Sequence, residues 1–234
     1  MFDRKTVQAF VLDLVFPNRC PLCGEVINWK QEYCQSCFDE LPYTGEEFCR
    51  GCGNILKSCT CQQSENYFSR CYAAFYYTDS AKGGVVYLKN TKNDIFPKLY
   101  AEKICTDINS DFYNFKADCI VPVPMSRAKL RKRGFNQAKV LANALGRQIG
   151  IPIYDNTLEK KESLVAQHKL SASMRKSNAA RLYYAGKNTD VKGKTIILVD
   201  DVMTTGSTIN TCAEILLEMG AKEIIAAVAA STIN

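Results

Sequence analysis

Two adjacent carboxylates, Asp200 and Asp201, are followed by a run of small side chains: Thr204, Thr205, Gly206, Ser207 and Thr208. Carboxylates repel a phosphate, but they accept hydrogen bonds from sugar hydroxyls and can approach a hydrated magnesium ion. Hydroxyls and unhindered backbone N–H groups at a helix N-terminus do the opposite and cradle an anion. Phosphate on one side and polyol on the other describes a ribose 5-phosphate. A plainer reading makes Asp-Asp a turn and the Ser/Thr run a helix cap. Nine consecutive positions, D-D-V-M-T-T-G-S-T, are more than a cap needs. No G-x-x-x-x-G-K-[ST] run occurs, so a nucleotide-hydrolysing P-loop is excluded.

Cysteine supplies the second chemistry. Of the 12 in the chain, eight fall between Cys20 and Cys61, as C-x2-C at Cys20/Cys23, Cys34/Cys37 and Cys49/Cys52 and C-x-C at Cys59/Cys61. A disulfide framework needs an oxidising compartment, and no export signal is legible. Paired thiolates on short loops suit tetrahedral zinc, and two sequential sets of four can each enclose one ion. Crossed pairing and iron–sulfur ligation use the same residues, although two tight four-cysteine blocks fit zinc ribbons better. All-cysteine sites leave no open position for substrate, so the zinc is expected to build structure, in a stretch with too few large apolar side chains to hold itself together. Cys71, Cys105, Cys119 and Cys212 lack partners at ligand spacing and read as small core residues.

The elements that must position these groups read as follows. Ile196 to Val199 form a continuous apolar run, which suits a strand of a parallel sheet covered on both faces. Ile209, Ala213, Leu216 and Leu217 recur at helical spacing, with Gly220 as the stop. The acids and the Ser/Thr run therefore sit at the carboxyl end of a strand, where open α/β sheets bind ligands. "SRCYAAFYY" and "CIVPVP" read as further strands, "EIIAAVAA" as the last, with helices from Pro97 and over 135–149 between them. The alternation predicts an α/β fold with a mainly parallel sheet. A polar stretch at 62–66 marks a boundary, giving 1–66 as an N-terminal helix and double zinc-ribbon module and 67–234 as the α/β domain. "VQAFVLDLVF" near the start reads as an amphipathic helix rather than a signal peptide, and no apolar run has the length of a membrane span.

Net charge is +6, unevenly spread. Residues 120–192 carry fifteen basic and four acidic side chains, five of the basic ones in Arg127, Lys129, Arg131, Lys132 and Arg133. A charge run is commonly a solvated face. This one follows strand "CIVPVP", near the proposed phosphate loop, where a loop could hold a pyrophosphate or the backbone of a nucleic acid. The expected division gives Arg127 and Lys129 to the pyrophosphate and Arg131, Lys132, Arg133 and Arg175 to DNA. The segment 158–183 is long for a connection and rich in Lys, Arg, Gln and Ser, as a mobile basic flap would be. His168, the only histidine, lies in it and reads as an exposed bystander.

The D-D-V-M-T-T-G-S-T run resembles the ribose-phosphate signature of type I phosphoribosyltransferases, which bind phosphoribosyl pyrophosphate (PRPP). With the cysteine pairs, "VPVP…RGFNQA" and a spaced Gln167, Leu170, Arg175 and Asn178, nearly the whole chain resembles the ComF family of competence proteins. That resemblance implies a phosphoribosyltransferase-type fold and zinc on the eight cysteines. It implies a cytoplasmic place, reaching the inner face of the membrane only through partners, and a role in natural transformation. There the protein would handle incoming single-stranded DNA beside a membrane helicase and recombination proteins.

Two function classes stay open. One is a DNA-uptake factor that keeps a PRPP pocket. The other is a working phosphoribosyltransferase, losing pyrophosphate with Mg²⁺, Asp200, Asp201 and the basic loop stabilising the oxocarbenium-like state. Classical base salvage needs a hood over the acceptor. With Asn234 directly after the last core strand, only the cysteine module or the 158–183 segment is expected to serve. The motif specifies the donor and nothing specifies an acceptor, which favours the first class.

Overall fold

Strands of unequal length decide where the sheet opens. In the computed structural model, which describes residues 17–62, 66–91, 94–111, 116–162, 182–186 and 190–232, the elements begin with a short helix α1 (Gln35–Asp39) and strand β1 (Arg70–Tyr76). Helices α2 (Asp79–Asn90) and α3 (Ile95–Asp111) lead to β2 (Cys119–Pro122), then α4 (Arg127–Arg133) and α5 (Gln137–Ile149). A small antiparallel pair, β3 (Leu158–Lys160) and β4 (Tyr183–Ala185), precedes β5 (Thr195–Met203), α6 (Ser207–Glu218) and β6 (Glu223–Ser231). The main sheet has the order β1-β6-β5-β2, with every pairing parallel. Strand β2 pairs with β5 only as far as Pro122 opposite Val199, and the last bond between them runs from Val123 N to Val199 O at 2.8 Å. On its other side β5 continues to pair with β6 out to Met203 opposite Ser231. Asp200 to Met203 thus project beyond the end of β2, and space opens over its carboxyl end.

Both faces of the sheet are covered, which is why its strands carry long apolar stretches. Ile197, Val199, Ile225 and Ala227 face Val85, Leu99, Tyr100, Ile104, Leu141 and Leu145 from α2, α3 and α5. Ile196, Leu198, Ile224 and Val228 face Ile209, Cys212, Ala213 and Leu216 of α6. Cys71, Cys119 and Cys212 are fully buried core residues, while Cys105 is only partly buried.

Several sequence expectations change here. Strand β5 does not stop at the acids but runs on past them to Met203. The basic run is a helix, α4, not a loop, and Gly134 ends it in the left-handed conformation. Helix α2 was not anticipated, since Gly83 and Gly84 lower helix propensity in its middle. The helix expected from Pro97 starts two residues earlier, at Ile95, leaving the proline in the first turn where its missing N–H costs nothing. The N-terminal helix and most of the 158–183 flap, including Gln167, His168, Leu170, Arg175 and Asn178, lie outside the described residues.

Candidate phosphate cleft and cysteine centres

Gly206 takes the left-handed conformation (φ 70°) as N-cap of the twelve-residue α6. A residue with a Cβ holds that conformation at a cost of about 1–2 kcal/mol. Thr205 Oγ1 and Ser207 Oγ lie 2.9 Å apart across this turn. Residues 202–209 and Asp200 bound a depression of about 30 Å³, and the unpaired N–H groups of the first helical turn favour an anion there. Beside it is a cavity of about 270 Å³ whose walls bring together Asp200, Asp201, Lys89, Lys129, Arg133 and Lys160.

The acids are held by their own backbone: Asp201 N donates to Asp200 Oδ1 at 2.8 Å and Val202 N to Asp201 Oδ1 at 2.7 Å. Lys89 Nζ, at the last turn of α2, stands 3.2 Å from Asp201 Oδ2. Burial, then the neighbouring charge of Asp201, pushes the Asp200 carboxyl up to about 7. The side chains of β3 and β4 close one wall. Lys160 Nζ donates to the Tyr183 hydroxyl and lies 4.4 Å from its ring centroid. Burial, then nearby Lys129, lowers the Lys160 pKa. On α4 and α5, Arg133 Nη1 donates to Gln137 Oε1 at 3.0 Å, while Gln137 Nε2 is buried with no hydrogen-bond partner among the described residues. A second cavity, about 690 Å³, shares Pro124, Met125, Asn136 and Lys160 with the first and adds Phe135 and Leu130.

The eight cysteines form two sets, Cys20, Cys23, Cys34, Cys37 and Cys49, Cys52, Cys59, Cys61, with all sulfurs of a set within 4.8 Å of one another. The pairing is sequential, not crossed. Tetrahedral zinc with Zn–S of about 2.3 Å requires sulfur–sulfur edges of about 3.8 Å. The edges are 3.7 Å for Cys23–Cys34, 3.6 Å for Cys49–Cys61, 3.8 Å for Cys52–Cys59 and 3.4 Å for Cys49–Cys59, close to what the ion requires. Although burial works against it, Cys34 is drawn down to about 6, first by the backbone N–H of Cys37. Cys52 is likewise drawn down to about 6, first by that of Thr60.

Residues 98–233 match the model of the phosphoribosyl transferase domain, more than half of the chain. The chain belongs to the phosphoribosyl transferase domain family. Residues 11–73 match the double zinc ribbon domain, and with the two cysteine sets this supports structural zinc. The chain is 26% identical over 196 residues to Competence protein F of Haemophilus influenzae, covering 82% of this chain and 81% of that one. It is also 26% identical over 226 residues to Competence protein ComFC of Streptococcus pneumoniae, covering 88% and 96%. DNA utilization protein YhgH of Salmonella typhi is 36% identical over 107 residues, 46% of either chain. The resemblance to the ComF family is borne out by these relatives.

Within the phosphoribosyl transferase domain the cleft gathers Asp200, Asp201, Lys129, Arg133 and Thr208, and the depression beside it adds Thr204, Thr205, Gly206 and Ser207. Arg127 lines the second cavity rather than this cleft. Arg131 and Lys132 are exposed on α4 and line neither. Sequence reasoning did not find Lys89, Lys160, Tyr183 or Gln137. Gln137 was visible inside "RGFNQA", and Lys160 and Tyr183 lay at the ends of the long segment, but Lys89 lies in a helix that its glycines disguise.

Proposed function

We propose that the cleft binds PRPP or a related ribose 5-phosphate, and that the protein uses it in a competence-associated role handling single-stranded DNA. One observation carries the first half. Asp200 and Asp201 stand beyond the end of β2, between the anion cradle at the start of α6 and four basic side chains. The 5-phosphate would sit on Thr204–Thr208, the ribose hydroxyls on the two acids, and the pyrophosphate toward Lys129, Arg133 and Lys160. Magnesium would accompany the pyrophosphate and offset its charge. Calorimetry with PRPP tests this, against Asp200→Asn and Asp201→Asn. Wild type should bind and both variants should lose about ten-fold or more, one carboxylate contact being worth at least 1.4 kcal/mol. Asp200, with its folded pKa raised to about 7 from 3.8, keeps its proton in the native state up to that pH. It therefore lowers stability as pH rises between these values, while its capacity to accept from a hydroxyl grows. PRPP affinity should rise from pH 6 to pH 8, as about one pH unit on either side of 7 requires, and Asp200→Asn should flatten that rise. Affinity independent of pH in wild type would remove Asp200 from the ligand.

The DNA half rests on relatives named for competence and DNA utilization and on the exposed basic face of α4. Membrane partners and recombination proteins belong to the same proposal, as does the place at the inner face of the membrane; no described helix is long and apolar enough to cross one. Fluorescence anisotropy with labelled oligonucleotides across a salt series should give a log–log slope of about −0.7 per phosphate neutralised, with little sequence preference. Alanine at Arg127, Arg131 and Lys132 should shrink affinity and slope together; Arg133 is spared because it holds Gln137. Unchanged binding in this variant would take DNA off this face. The second cavity favours a further reading, transfer to an acceptor base, since it opens beside the cleft with room for one. Release of pyrophosphate from PRPP on adding an acceptor would establish it. The division into modules at residues 66 and 67 is part of the same reading.

A further inference from the structure

Helix α2 is contributed by residues that neither family model covers, between the double zinc ribbon match ending at 73 and the phosphoribosyl transferase match starting at 98. It nonetheless delivers a charge into the cleft. Lys89 Nζ lies 3.2 Å from Asp201 Oδ2, with the two side chains only 28% and 22% exposed. Salt screens such a pair less than an open surface pair. Among the described residues, the cleft sets Lys89, Lys129, Arg133 and Lys160 against Asp200 and Asp201. A bare divalent cation approaching Asp200 and Asp201 meets that surplus of like charge, and one of its two carboxylates is already engaged. Magnesium at phosphate sites is held by one or two carboxylates together with substrate phosphates. Here the protein has supplied a cation of its own at the carboxylate end.

We propose that Lys89 is a specificity-determining residue: an internal cation at Asp201 that bars free divalent ions from the acid pair, admitting magnesium only with a phosphorylated ligand. A lysine suits this role because its ammonium is a compact charge on a flexible stem, able to leave Asp201 for an incoming anion. The inference deepens the ribose-phosphate reading and rests on it for the ligand, but its metal arm stands alone.

The test uses the full, zinc-loaded chain, with Mn²⁺ binding followed by electron paramagnetic resonance in the absence of ligand. Wild type should hold Mn²⁺ weakly. Lys89→Met, which removes charge at similar length on a helix that tolerates methionine, should bind it about ten-fold more tightly, the equivalent of one lost repulsion of about 1.4 kcal/mol. Lys89→Arg should behave as wild type, and adding Asp201→Asn to Lys89→Met should abolish the gain. With no added divalent ion, wild type should still bind PRPP, whereas Lys89→Met should lose about ten-fold and recover it with Mg²⁺. Should Lys89→Met fold poorly, Lys89→Gln serves in its place. Equal Mn²⁺ affinity in wild type and variant overturns the proposal. Failure of PRPP to bind wild type overturns the ribose-phosphate reading instead, while the Mn²⁺ arm still decides the lysine's part.

Discussion

The two cysteine knuckles repeat one another bond for bond. In the first, Cys20 N donates to Glu25 O at 2.9 Å and Gly24 N to Cys20 O at 2.8 Å. In the second, Cys49 N donates to Asn54 O at 2.7 Å and Gly53 N to Cys49 O at 2.8 Å. Both glycines are left-handed, φ 81° at Gly24 and 78° at Gly53. What differs is the seat. A Cβ on Gly24 would meet nothing, whereas one on Gly53 would stand 1.8 Å from Met203 Cε and 3.1 Å from Cys71 Sγ. The second knuckle lies on the last residue of β5, directly before the phosphate cradle. Ser231 Oγ also donates to Gly53 O, at 2.8 Å. The first knuckle seats on α2, where a Cβ on Gly83 would fall 1.7 Å from the Leu22 carbonyl oxygen. So one ribbon reaches the cleft through backbone packed under the loop, and the other through a helix whose last turn carries Lys89. Identical metal chemistry can serve unequal ends when docking differs.

The largest expected effect separates the two metal sites. Cys23→Ser and Cys61→Ser each remove an exposed ligand from one set, and each should lower zinc content from about two ions per chain toward one. Loss from the second set should also weaken PRPP binding about ten-fold or more, as loosening of a supporting shell does. Loss from the first should leave the cradle intact and change affinity by only about two-fold, within the range of context effects on a remote, independent site. Elemental analysis paired with calorimetry reads both. Equal losses of affinity would erase the distinction between the seats.

A smaller effect isolates docking from metal. Gly24→Ala and Gly53→Ala carry the same backbone strain, about 1–2 kcal/mol each. Only the second must also displace Met203, which is 3% exposed and has little room to yield, so about 1–3 kcal/mol more is expected from overpacking. Thermal melts should show the difference, and PRPP affinity should fall in Gly53→Ala alone. If the two variants melt together, Met203 moves aside freely and the knuckle does not support the loop.

How far the sequence reveals this arrangement depends on how local the cause is. Cysteine spacing, the apolar run before Asp200 and the Ser/Thr run after it are local patterns, and each corresponds to an element in the structure. The reach of β5 past the acids is not local, because it shows only against β2, which comes much earlier in the chain and pairs no further than Pro122. Lys89 is further from view. Its helix contains Gly83 and Gly84, which read as breakers, yet the first makes room for the Leu22 carbonyl and the second for the ring of Phe96, 2.3 Å from an added Cβ. Tertiary packing there overrides propensity. Even the basic run, whose composition was plain, gave no sign of being a helix until Gly134 was seen to cap it.

The smallest effect concerns what each knuckle adds at its second position. Pro21 in the first offers no charge. Arg50 in the second pairs with Asp111, Nη1 to Oδ2 at 2.7 Å, and its guanidinium lies 4.8 Å from the ring centroid of Tyr72. Both members of the ion pair are less than a third exposed, so the contact should be worth about 1 kcal/mol, more than a fully solvated pair, with the ring contributing part of it. Arg50→Ala removes that side chain but keeps the carbonyl that accepts from Cys71 N at 2.6 Å. The backbone seat of the second knuckle should therefore survive. Denaturant melts at low and high salt are expected to show a loss of about 1 kcal/mol that shrinks as salt rises, with zinc content and PRPP affinity unchanged. Loss of zinc or of PRPP affinity in this variant would mean that the arginine, rather than Gly53 on Met203, is what ties the second ribbon to the cleft.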